Sequence, residues 1–154
     1  MITKEEYEKI VKEEGDYMEF EAFGLPCVIW RNKNFGHWCG YAGVPKDSRL
    51  DGKRYYFSTE SENGLSSLEK AINEIEIHGG LTYAGKRKEN WEYSKKDDIW
   101  YFGFDCGHYG DLQKYQFEYP ENIREDDIYR TKEYVIEECK KFAEQLKKMI
   151  ELNL

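Results

Sequence analysis

Trp100-Tyr101-Phe102-Gly103-Phe104-Asp105-Cys106-Gly107-His108-Tyr109-Gly110-Asp111 begins as an aromatic strand and ends as a polar loop punctuated by glycine. Aromatic side chains suit a pleated, half-buried surface, and successive side chains on a strand alternate between faces. Trp100, Phe102 and Phe104 therefore share one face, which the spacing gives to the core, and Tyr101, Gly103 and Asp105 share the other. After Phe104 the chemistry changes. Asp105, Cys106, His108 and Asp111 bring two acids, a thiol and an imidazole to one strand end. A rigid strand delivering polar groups into a loop is a common way to build a site.

Working outward, the N-terminal side reads as a helix followed by a meander. Thr3 and Glu6 stand at capping-box spacing, and Tyr7, Ile10 and Val11 give the apolar stripe of a helix over residues 4 to 14. Residues 17 to 23, 27 to 30 and 37 to 44 read as three antiparallel strands, with turns at Gly24-Leu25-Pro26 and at 32 to 36. Residues 53 to 57 read as a strand or an extended segment. Ser66 and Glu69 repeat the capping-box spacing ahead of Leu68, Ile72 and Ile75, which predicts a middle helix. Residues 81 to 84 read as a strand, 86 to 98 as a charged excursion and 112 to 130 as irregular chain. Thr131 caps a last helix, 132 to 150, whose Val135, Cys139, Phe142, Leu146 and Met149 form an amphipathic stripe. The fold class is α+β. A single globular domain over 1 to 154 holds an antiparallel or mixed sheet, a short N-terminal helix, a middle helix and a long C-terminal amphipathic helix packed on the sheet.

Composition narrows the function. The net charge of -8 works against broad nucleic-acid binding, which requires a positive surface to displace counterions. No apolar run reaches membrane-spanning length, and the charged N-terminus lacks a signal-peptide core, so the expected location is the cytosol. Cys27, Cys39, Cys106 and Cys139 form no CxxC pair and read as reduced thiols. The 13 tyrosines and 4 tryptophans supply rings that can fill a core, stack on a planar ligand or pack an interface between copies of the chain.

The chain has three histidines, and each sits beside glycine near a strand end: His37 in Gly36-His37-Trp38, His78 in His78-Gly79-Gly80-Leu81-Thr82-Tyr83, and His108 in Gly107-His108. Convergence of the three with Asp105 and Asp111 would make an acid–base or metal-ligating set, although no HxH, HExxH or HxxxH spacing occurs. The bland alternative is that each imidazole only ties down a turn. A thiolate–imidazole pair of Cys106 and His108 ranks lower, because Asp105 opposes a thiolate. The Gly79-Gly80 pair and the Thr82 hydroxyl can cradle an anion. Lys86-Arg87-Lys88 and Arg130 are the nearby cations. The candidate ligand-binding set is His37, Trp38, His78, Gly79, Gly80, Thr82, Tyr83, Asp105, His108, Asp111 and Arg130, with no metal and no cofactor.

His78-Gly79-Gly80-Leu81-Thr82-Tyr83, Gly103-Phe104-Asp105-Cys106-Gly107-His108 with Asp111, Tyr129 to Val135 running into Glu137-Glu138-Cys139, and Trp38-Cys39-Gly40-Tyr41 with Val44-Pro45 together resemble a family of small phage and prophage proteins. The resemblance covers most of residues 25 to 150. It implies a small intracellular α+β protein expressed from a viral genome, and it carries no catalytic residues over. Phage genes of this size often blunt bacterial defence. The expected function is therefore to bind and sequester a nucleotide-derived immune signal, without chemistry. A metal-dependent or acid–base hydrolase of such a signal is the second reading. An inhibitor that blocks a host defence protein is the third.

Overall fold

The computed structural model describes residues 2–55, 64–87 and 97–152. The strand or extended segment expected to reach residue 57, and Lys88 with most of the charged excursion, lie outside these residues. Thr3 caps α1 (Lys4–Glu14) through the reciprocal bonds with Glu6 that its sequence predicts. The chain then forms β1 (Tyr17–Ala22), β2 (Leu25–Arg31) and β3 (Trp38–Val44). Next come α2 (Ser67–Asn73), β4 (Tyr83–Gly85) and β5 (Trp100–Asp105). It closes with α3 (Lys114–Glu118) and α4 (Lys132–Glu151). All strand pairs are antiparallel, in the order β1-β2-β3-β5-β4.

Two local expectations shift. The first turn is not Gly24-Leu25-Pro26 but Phe23-Gly24, where both residues have positive φ and Ala22 faces Leu25. That is the geometry of a two-residue hairpin whose twist matches the strands. Pro26 lies inside β2, and pairing of β2 with β3 begins only at Cys27, so no N–H is required of it there. The second shift is at 112 to 130, which contains α3 and a 3-10 turn at Pro120–Asn122 instead of wholly irregular chain.

α4 covers one face of the sheet. Its Val135, Cys139, Phe142 and Leu146 are fully buried, with Phe142 meeting Phe104 edge to face at 6.1 Å. The opposite face is buried as well. Tyr101 is as inaccessible as Phe102, and it joins Val28, Cys39 and Tyr41 in a second apolar cluster with Trp30, Tyr83 and Ile99 packed against it. Arg87, from the basic knot, is committed to this face. Its guanidinium bonds the Tyr101 hydroxyl and pairs with Glu19 and Asp97.

α1 is fastened by a polar knot under one edge of the sheet. Arg31 makes five hydrogen bonds, to Asp16, Glu14, Tyr129 and the carbonyls of Gly15 and Gly36. Its guanidinium stacks on the Trp38 ring at 4.4 Å, and the Trp38 indole donates to Glu14. The Lys132 amide and the Tyr129 hydroxyl also donate to Glu14.

Candidate functional site

The strand end singled out by the sequence is built around Asp111. This residue is 3% exposed, so its carboxylate needs partners. It accepts from His78 Nε2 at 2.9–3.0 Å, from Arg130 Nε at 2.9 Å and from the His108 amide at 3.1 Å. Burial pushes the Asp111 carboxyl up, but the bonds from His78, Arg130 and the His108 amide outweigh it and hold the group below the ordinary carboxylate range. The ionised carboxylate can only accept, so His78 carries its hydrogen on Nε2. In the neutral ring, Nδ1 then accepts the Tyr134 hydroxyl at 2.8 Å. The loop is pinned too, since the Leu112 amide donates to the Ile128 carbonyl and the Ile128 amide to the Gly110 carbonyl.

Two glycines bring the other histidines in. Ile77 to Gly80 form a turn closed by the Gly80 amide on the Ile77 carbonyl, with Gly79 at φ +70°. A type II turn needs such a residue at that corner. The Gly79 backbone lies flat against the His108 ring, and a Cβ there would sit 2.3 Å from Cδ2 and Nε2. At Gly107 a Cβ would sit 2.8 Å from the His37 ring. Two of the three motifs thus receive the histidine of another, whereas Gly36 meets Tyr7 and Lys114. The ring centroids of His78 and His108 are 6.2 Å apart. His37 is held through Nδ1 by Gln113 Oε1 at 3.1 Å. Burial lowers the His37 pKa, and the nearby Asp105 and Asp111 do not restore it. The convergence expected of the three histidines is present.

His108 is the least satisfied member. Its Nε2 lies 3.1 Å from Asp105 Oδ1 but is not aligned to bond it, so this buried nitrogen has no hydrogen bond. About a third of the side chain remains exposed. His108 also stands between two cavities. A polar cleft of about 520 Å³ is lined by Gly107 to Asp111, Gln113, Tyr115, Gln116 and Arg124, among others. A smaller cavity of about 290 Å³ is lined by Tyr55, Asn73, Gly79, Gly80, Leu81, Thr82 and His108. Among the described residues, the amides of Gly79 and Leu81 make no backbone hydrogen bond. At the cleft, Tyr109 is 78% exposed and carries the Arg124 guanidinium 3.9 Å from its ring centre.

Not every candidate from the sequence reaches this place. Trp38 is fully buried in the Arg31 knot, so its ring cannot meet a ligand. Tyr83 points to the second apolar cluster, edge-on to Tyr41. Both were placed in the site because a glycine-rich motif was read as one unit, whereas strand alternation separates neighbours. Arg130 joins the cluster through Asp111, and among the described residues it makes no other hydrogen bond. The Cys106 thiol is buried and pushed up in pKa, which removes the thiolate that nucleophilic chemistry would require. Tyr109, Gln113, Gln116 and Arg124 were missed. The one available signal was Tyr109, a large ring between Gly107 and Gly110. Among the described residues, no three His, Cys, Asp or Glu side chains are grouped to hold a metal ion, and no helix is long and apolar enough to cross a membrane. Comparison of the chain with protein-family models, with curated proteins and with solved structures finds no match.

Proposed function

We propose that the chain binds and sequesters a nucleotide-derived signal, as a phage counter-defence protein would, with His108 as the residue the ligand straddles. The observation that carries this reading is the position of His108 between two cavities of different chemistry. Among the described residues, the lining of the smaller cavity holds no carboxylate, in a chain of net charge -8. Free amides, the Thr82 hydroxyl and an imidazole there suit a phosphate. The larger cleft offers the Tyr109 ring, on which a base can stack for about 1–3 kcal/mol. The volumes fall in the range usual for small-ligand pockets.

A second reading, acid–base hydrolysis of the same ligand, is favoured by the His78–His108 pair, because Asp111 fixes the tautomer of the first ring and the second is partly exposed. Binding without turnover is preferred because both His78 nitrogens are already occupied by Asp111 and Tyr134. One experiment separates the two readings. Small molecules released from the purified protein are identified by mass spectrometry, and cyclic dinucleotides and cyclic ADP-ribose isomers are titrated by calorimetry. Stoichiometric binding with intact ligand recovered supports sequestration. Recovery of cleaved ligand promotes the hydrolase. No binding by any of these nucleotides overturns both.

A further inference from the structure

α1 separates two grooves of different character. On one side Tyr7, Val11 and Arg31 line a groove edged by Lys12, Lys33 and Lys114. On the other side Ile2, Ile10, Leu112, Ile128 and Tyr129, with Asp127, line an open groove of about 390 Å³ that has no Lys or Arg in its lining among the described residues. Ile128 is 53% exposed there. A single exposed isoleucine needs no explanation, but four aliphatic side chains converging on one open groove are an unpartnered apolar surface.

The rim is acidic on both sides. Glu6 and Glu13 stand four residues before and three after Ile10, which puts all three on one stripe of α1, and both glutamates are exposed. Glu125 lines the facing wall, and the exposed Asp126 follows it. An apolar floor between two acidic rims is complementary to an amphipathic segment with an aliphatic face flanked by Lys or Arg, the helix-in-groove mode of recognition.

We propose that this groove docks a basic amphipathic segment of a partner protein, whose aliphatic side chains would enter between Ile10 and Ile128 while its cations meet Glu6, Glu13, Glu125 and Asp126. The proposal is independent of the nucleotide reading, since it uses neither His108 nor the Gly79 turn. It is tested with a fluorescein-labelled Leu/Lys amphipathic helical peptide, with a leucine-free lysine peptide of equal charge as control, read by anisotropy against the full chain. The Leu/Lys peptide is expected to bind, and the control to bind at least about tenfold more weakly. Ile128→Asn keeps the charge and is expected to weaken binding about tenfold, or ~1.4 kcal/mol, at unchanged melting temperature. A double variant, Glu125→Gln with Asp126→Asn, leaves the apolar floor intact and is expected to weaken binding and flatten its salt dependence. Equal affinity of the wild type for both peptides overturns the proposal. So does wild-type affinity in Ile128→Asn, or in the double variant should Ile128→Asn fail to fold.

Discussion

The Arg31 knot and the Asp111 cluster are built from similar parts: an acid shielded from solvent, an arginine, a tyrosine hydroxyl and aromatic rings in contact. They differ in how completely those parts are used. In the knot, the Arg31 guanidinium makes five hydrogen bonds and Glu14 accepts from Arg31, Trp38, Tyr129 and Lys132. In the cluster, among the described residues, Arg130 bonds only through Nε, and His108 Nε2 faces Asp105 Oδ1 at 3.1 Å without an aligned hydrogen bond, on a ring that borders two cavities. Saturation marks a scaffold, because nothing remains to offer a ligand. Incomplete satisfaction at an open cleft marks a place where a ligand can supply the missing partner. Similar side chains are thus saturated in one region and incompletely bonded in the other.

The comparison breaks most visibly in the knot. Replacing Arg31 with Met removes five hydrogen bonds and the cation that neutralises Glu14, and is expected to cost about 3–5 kcal/mol, as removal of one partner from a buried ion pair does. Urea unfolding measures it. A loss below about 1 kcal/mol would show that water solvates Glu14 and that the knot is not a scaffold.

The glycine–histidine stack comes next. Gly79→Ala and Gly80→Ala both place a side chain at positive φ, which costs about 1–2 kcal/mol. A Cβ at Gly80 meets nothing within 4 Å, whereas one at Gly79 runs into His108. Gly79→Ala is expected to be the more destabilising by roughly 1 kcal/mol, and that excess is expected to vanish in a His108→Ala background. An excess that survives there would contradict the stack.

A smaller effect comes from His37. Its folded-state pKa is depressed below the ordinary 6.5, so below that value the unfolded chain binds more protons than the native one, and stability falls as pH drops through the window beneath 6.5. The lowered carboxyl of Asp111 adds a loss of the same sign at more acid pH. His37→Gln is expected to flatten the upper part of this acid limb, measured as urea stability against pH. An unchanged limb would assign the slope to other groups.

Much of this was legible in the chain. Thr3 with Glu6 and Ser66 with Glu69 announce their helices through local bonds, and the Val135-to-Met149 stripe announces its burial through spacing alone. The three glycine-flanked histidines pointed to a gathering, but with no HxH, HExxH or HxxxH spacing the sequence left their convergence open. What the sequence withheld is tertiary. Nothing local says that Gly79 receives His108 and not His78, or that Arg31 reaches across to Glu14 and draws Trp38 away from the site. The burial of Tyr101 had a signal that went unused: Trp100 to Phe104 is nearly continuous in apolar residues, as suits a strand covered on both faces. The segment from 112 to 130, read as irregular, contributes Gln113, Gln116 and Arg124 to the cleft.

The most direct test of the difference between the two regions is His108→Ala, read for stability and for nucleotide affinity on the same preparation. Removing a ring whose buried Nε2 makes no aligned hydrogen bond offsets the lost packing, so stability is expected to move by less than about 1 kcal/mol. Under the proposed function, calorimetric affinity for the cyclic nucleotide that the titration identifies is expected to fall by more than tenfold, ~1.4 kcal/mol. If His108→Ala instead unfolds the protein while the affinity of its folded fraction is unchanged, His108 is a structural tie like Arg31, and the division of the molecule into scaffold and site fails.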